Sequence, residues 1–202
     1  PVTELVTGID LVKLQFRIAS GEVLPFTQAD VRQRGHAIEC RVYAEDPHNN
    51  FLPSTGTVHT FIAPQMPNVR VDTYLQSSDA ISIHYDPMIA KIIAYDTTRE
   101  AAIAKLQQAL RATVVLGVTT NLDFLQALLA HPVFAAGQIH TAYLDEHLAD
   151  VLPPLLEVSI AALIAAALSE QRAIVLPLIK AAQDGDAYSP WAHADGFRLG
   201  GR

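Results

Sequence analysis

Glu39 and Arg41 stand two residues apart in the stretch RGHAIECRVYAEDP, residues 34–47, where Ile38, Cys40 and Val42 alternate with them. Alternation with a period of two marks a strand, apolar on one face and carrying Glu39 and Arg41 on the other. A guanidinium is permanently protonated and offers a rigid fork of donors. Such a group stabilises an oxygen on which negative charge develops during a reaction. A carboxylate beside it holds the fork through charge-assisted hydrogen bonds. From residue types alone, the favoured reading is more modest: an ion pair on a half-exposed sheet face, common and contributing little.

Other residues with chemical potential are isolated. Asp86 lies between Tyr85 and Pro87 in HYDPMIAK. An Asp before Pro suits a turn, and a place in a site wall or a dimer contact is the alternative. Lys91 interrupts an apolar strand, either snorkelling from a sheet face or pairing with an acid. Cys40 falls on the core side of its strand and reads as a small buried hydrophobe. The eight histidines are scattered, none at a zinc-like spacing from a second His, Cys or Glu. No metal site is expected. The chain has no G-x-x-x-x-G-K-S/T, G-x-G-x-x-G or G-x-S-x-G. By motif alone there is no catalytic centre.

The elements that must position these residues alternate along residues 1 to about 148. Thr7-Gly-Ile-Asp10 has capping-box form, followed by Ile9, Val12, Phe16 and Ala19 at helical spacing and Gly21 as a stop. Strands are expected at 36–44, 57–62, 69–74, 81–84 and 88–95, between clusters of Pro, Gly, Asn and Ser. Thr97 and Glu100 form a second capping-box pattern, with Ile103, Leu106, Leu110 and Val114 on one helical face. Asn121 is placed to cap a third helix, with Leu122, Leu125, Leu128 and Leu129 inside and Pro132 after it. Strands flanked by helices indicate an α+β fold with a mostly antiparallel sheet.

At 202 residues, half of them apolar, the chain suits one domain or one domain and part of another. A formal charge of −7 argues against a nucleic-acid backbone partner. One cysteine, and no basic start or apolar run in PVTELVTGID, lead to the expectation of a reducing, cytoplasmic setting. The start at Pro1 and the ending FRLGGR lead to the expectation of a segment of a longer polypeptide. Beyond Asp150 the composition turns rich in Ala and Leu, with prolines at 153 and 154 marking the boundary. The stretch 158–168, apolar except for Ser159, is 11 residues long, against roughly 20 for a membrane span. An apolar helical tail needing a partner surface is expected there, loosely held when expressed alone, and no membrane span.

The segments PVTELVTGIDLVKLQFRIASGE, RGHAIECRVYAEDP, FLPSTGTV, HYDPMIAKII and GVTTNLDFL follow one another in register. Together they resemble the C-terminal third of biotin carboxylase, from the biotin-bearing subunits of acyl-CoA carboxylases. The resemblance covers residues 1 to about 148. The segment YSPWAHADGFRLGG resembles, over a short span, the start of the subunit-docking region that follows in the α subunits of methylcrotonyl- and propionyl-type enzymes. Residues 149–202 are accordingly read as linker and the incomplete start of that region.

In this family an ATP-grasp fold uses ATP and Mg2+ to activate bicarbonate, and a biotin ureido nitrogen takes up the carbon dioxide. The resemblance implies that this chain supplies one wall of the biotin site. It places Arg41 opposite the ureido oxygen as a catalytic residue, which reverses the modest reading of that side chain. Glu39 and Asp86 are implied as members of the biotin wall, and Arg70 as a contact of a biotin carboxylase homodimer. The residues PQMPN near Arg70 depart from the aromatic-containing pattern of that dimer. The implied partners are the ATP-grasp lobe of the same polypeptide, a biotin-carrier domain and a carboxyltransferase subunit. The nucleotide site and the Q-V-E-H base segment are expected upstream, and the A-M-K-M biotinyl segment downstream. The chain alone is therefore expected to be inactive. The same domain of a pyruvate or urea carboxylase, and a non-catalytic interaction module docking through the apolar tail, are the alternatives.

Overall fold

The computed structural model describes residues 1–155 and 158–169. The tail residues Trp191 and YSPWAHADGFRLGG, and the rest of the region after residue 169, lie outside the described residues. The chain divides into two compact units, Pro1–Pro153 and Pro154–Arg202. Helix α6 carries the first unit past residue 148.

In chain order the first unit contains α1 (Val2–Thr7), α2 (Leu11–Ala19), β1 (His36–Tyr43), β2 (Glu45–Asp46), β3 (Leu52–Pro53), β4 (Gly56–Thr57), β5 (Thr60–Ile62), β6 (Val69–Thr73), β7 (Ala80–Ile81) and β8 (Met88–Asp96). Then come α3 (Arg99–Ala112), β9 (Val114–Leu116), α4 (Leu122–Ala130), α5 (Pro132–Ala135) and α6 (Tyr143–Val151). The fold is α+β, and every described strand pairing is antiparallel.

The sheet that matters for function has the order β1-β8-β6. Its central strand, MIAKIIAYD, has alternate residues on opposite faces. Ala90, Ile92 and Ala94 join Cys40 and Val42 of β1 in the main core, with Ile103, Leu106 and Leu110 of α3. Lys91 and Ile93 take the other face, opposite Arg41 and Glu39. There α1 packs against β1 and β8, and Ile93 is fully buried. The register slips between Val42, opposite Ala90, and Tyr43, opposite Met88. Ile89 is the extra residue of this bulge, a device that bends a strand and re-aims its end.

Both capping-box assignments are corrected. Thr7 ends α1, and its hydroxyl donates back to the Thr3 carbonyl at 2.6 Å. Gly8, at φ 73°, breaks the chain, and Asp10 caps α2 by accepting from the Lys13 amide at 2.8 Å. Likewise Thr98, not Thr97, caps α3, accepting from Ala101 N at 3.2 Å. Val114 is the first residue of β9, so α3 ends before it. Of the expected strands, 57–62 splits into β4 and β5, and 81–84 reduces to the two residues of β7. Strands β2, β3 and β9 were not foreseen; their brevity leaves no alternation to read. The expected face of α2 is apolar but uncovered, with Val12 58% and Phe16 72% exposed.

Residues 160–169 are helical, and the large apolar residues Ile160, Leu163, Ile164 and Leu168 are exposed. No described helix is long and apolar enough to cross a membrane.

Leu106 is fully buried between α3 and the sheet. Leu106→Ala should lower stability by about 2–5 kcal/mol, the usual range for a buried leucine, as read by urea unfolding. Cys40 is buried, and burial first, the Glu39 charge second, pushes its thiol up to about 12. A thiol reagent at pH 8 should find no reactive thiol in the native chain and one after denaturation.

Candidate functional site

Glu39 and Arg41 do share the face opposite the core, as alternation requires. Arg41 Nε donates to Glu39 Oε1 at 3.1 Å. The burial of the two side chains is unequal: Glu39 is 14% exposed and Arg41 59%. The carboxylate is thus the anchored partner, and the guanidinium projects towards solvent. Glu39 first, and the Tyr43 phenol after it, hold the guanidinium above its already high pKa. The pair leaves a fixed positive charge engaged through Nε, which suits it to present its terminal nitrogens to an anionic oxygen.

Strand β1 is an edge strand, and the backbone groups of residues two apart point to the same edge. At Arg41 and Tyr43 that free edge is closed by Asn121. Asn121 Nδ2 donates to the Arg41 carbonyl at 3.2 Å, and Asn121 Oδ1 accepts from the Tyr43 amide at 2.9 Å. The Asn121 amide also donates to the Tyr43 carbonyl at 3.2 Å. Asn121 does occupy the position before α4, as expected, but its side chain makes no capping bond. It is 6% exposed, one of two buried polar residues among the described residues. The cap assignment is corrected: the amide is spent on β1.

Next to Arg41 across the sheet stands Lys91, and beyond Lys91 stands Asp72 of β6. One step along, Glu39 and Arg70 both lie opposite Ile93. Arg70 Nε donates to Asp72 Oδ1 at 2.8 Å, and Arg70 Nη1 lies 3.7 Å from Glu4 Oε2 of α1. Asp72 is the larger cause of its raised pKa, with Glu4 contributing less. Arg70 therefore belongs to the polar face that carries Glu39 and Arg41, one strand further out.

Asp86 sits apart, in the loop entering β8. Its Oδ1 accepts from the Met88 amide at 2.8 Å across Pro87, the geometry of a turn-forming Asp. It is exposed and edges a hollow of about 450 Å³ with Tyr74 and Tyr85. A second hollow of about 310 Å³ shares Tyr74 and Met88 with the first and reaches Lys91 and Asp72. Burial, and then the Asp86 carboxylate, push Glu45 up. No hydrogen bond or ion pair joins Asp86 to Arg41 among the described residues. No group of three or more His, Cys, Asp or Glu is arranged to hold a metal ion among those residues.

Asn121 and Tyr43 are the members of this site that sequence reasoning missed. Asn121 bonds residues 78 and 80 positions away, and nothing local distinguishes it from a helix cap. Tyr43 has a local signal, since it continues the alternation of Glu39 and Arg41.

The family model for the biotin carboxylase C-terminal domain matches residues 39–146. Among relatives, the α subunit of mitochondrial methylcrotonoyl-CoA carboxylase from Rattus norvegicus is 45% identical over 154 residues, 76% of this chain and 22% of that protein. The corresponding subunit from Dictyostelium discoideum is 36% identical over 200 residues, 98% of this chain and 28% of that protein. The biotin carboxylase domain of Hydrogenobacter thermophilus 2-oxoglutarate carboxylase, solved as a dimer with MgADP and bicarbonate, superposes with a TM-score of 0.73 at 37% identity. That superposition covers 77% of this chain and 34% of the solved one. The chain thus spans about a fifth to a third of the lengths of these proteins. It belongs to the biotin carboxylase C-terminal domain family.

Proposed function

We propose that this chain is the C-terminal part of the biotin carboxylase component of an acyl-CoA carboxylase, acting in ATP- and bicarbonate-dependent carboxylation of biotin. The observation that carries the reading is Arg41. Within the family-matched span, its exposed guanidinium is anchored from one side by Glu39.

The residues present fit a ureido group by their chemistry. Biotin, when bound, supplies the ureido nitrogen that carries the carboxyl group. The preorganised Arg41 guanidinium would face the neighbouring ureido oxygen and would stabilise negative charge developing there. Glu39 fixes the direction of the fork and is itself largely shielded from water. Asp86 and the hollow beside it are proposed as a further part of the wall, and Arg70 as a dimer contact. ATP and Mg2+ are assigned mainly to an ATP-grasp lobe of the same polypeptide, and biotin to a carrier domain. A carboxyltransferase subunit would receive the carboxyl group. The acyl-CoA reading is supported by the Dictyostelium discoideum relative, whose similarity runs through 98% of this chain, tail included.

In the complete enzyme, Arg41→Ala should lower carboxylation of free biotin by roughly 10²–10³-fold, the scale for losing one oxyanion donor. ATP binding should hold. Arg41→Lys should rescue little, because a compact ammonium does not replace a planar fork. Near-normal turnover in Arg41→Ala, with only a lowered melting temperature, would make the pair structural. The 202-residue chain by itself should release no ADP in a bicarbonate-dependent manner. Release above a mock preparation would contradict the assignment of the nucleotide site to another lobe.

A further inference from the structure

We infer that Asn121 is a positioning residue for Arg41, acting through the backbone of β1. The inference rests on the reading of Arg41 proposed above. An arginine can direct its fork at a small group only if its own Cα is held. On one side β8 holds β1, but the pairing slips just after Arg41, between Val42 and Tyr43. A bulge weakens the ladder where it occurs. On the opposite edge β1 has no neighbouring strand among the described residues.

Asn121 supplies the missing partner at that point. Its carboxamide carries one donor and one acceptor, as a peptide group does. The donor takes the Arg41 carbonyl at 3.2 Å and the acceptor takes the Tyr43 amide at 2.9 Å. The Asn121 backbone amide adds the Tyr43 carbonyl at 3.2 Å. Three hydrogen bonds thus straddle the bulge and fix Arg41 itself and Tyr43, whose phenol lies against the guanidinium. The carboxamide is buried, where hydrogen bonds compete least with water. None of these atoms lies in the proposed nucleotide site, so the effect of Asn121 is confined to the biotin step.

Asn121→Asp keeps the acceptor to Tyr43 but turns a carboxylate oxygen on the Arg41 carbonyl. The test is a double-mutant cycle in the complete carboxylase: wild type, Asn121→Asp, Arg41→Ala and the double variant. Each is assayed for carboxylation of free biotin, for its KM for ATP and for its melting temperature. With Arg41 present, Asn121→Asp should lower kcat about tenfold, the scale of one displaced hydrogen bond, at unchanged KM for ATP. With Arg41 already Ala, the same change should cost less than about twofold, because the residue it positions is gone. An equal loss in both backgrounds, or no loss in either, overturns the positioning role while leaving Arg41 standing. Normal turnover in Arg41→Ala overturns the reading of Arg41 and the inference with it. Where the aspartate variant does not fold, Asn121→Gln carries the same cycle. It retains both groups and displaces them by one methylene, with the same outcomes decisive.

Discussion

The parity of β8 is the constraint on which the polar site depends. Its side chains alternate between a face packed on α3 and a face turned to α1 and the charged row. A shift of one residue in the pairing with β1 would drive Arg41 into the core and expose Val42. Burying an unpaired guanidinium costs far more than an exposed ion pair returns, so the register is enforced from the apolar side. Cys40 and Val42 select it, and Glu39 and Arg41 follow. The position of the candidate catalytic charge is thus a consequence of where methyl groups fit.

The charged face contributes little to stability by the same reasoning. Arg41 is largely exposed, and an exposed pair gains a modest Coulomb term against the entropy of holding two side chains. Its worth lies in geometry. Glu39 is shielded, so it has fewer alternatives than Arg41 and acts as the fixed end. The neighbouring Arg70–Asp72 pair, with Glu4 of α1 beyond it, is a second fixed arrangement on the same face. Like charges at Arg41 and Lys91 face each other across the strands, an arrangement that a sheet does not adopt for stability.

Much of this was legible in the chain. Strands β1 and β8 are long enough for alternation to be unambiguous, and the apolar face of α3 follows its spacing through Leu110. Helix ends were read less well. At Thr7 and Thr97 the pattern of a capping box was present, yet Asp10 and Thr98 hold the caps. Adjacent Thr residues offer the same chemistry at 97 and 98, and only the backbone dihedrals choose between them. The face of α2 shows a different limit. Periodicity reports that a helix has an apolar side, and says nothing of what covers it. Val12 and Phe16 are uncovered in this chain although their spacing matches that of a core helix.

Asn121 marks the deeper boundary of what a sequence displays. Short polar residues satisfy backbone groups, and before a helix the nearest such groups are the helix's own amides. A local reading therefore assigns the side chain to the cap. The structure assigns it to a strand laid down 78 residues earlier, after the intervening chain has paid its closure entropy. What tips the choice is the setting of the side chain: Asn121 is buried at the edge of β1, where the Arg41 carbonyl and the Tyr43 amide need partners. Unsatisfied groups in the interior outbid exposed ones. A polar residue next to an element thus serves whichever backbone is driest, and dryness is a property of the assembled fold. The contact that ties α4 to the strand of Arg41 becomes visible only when both are in place.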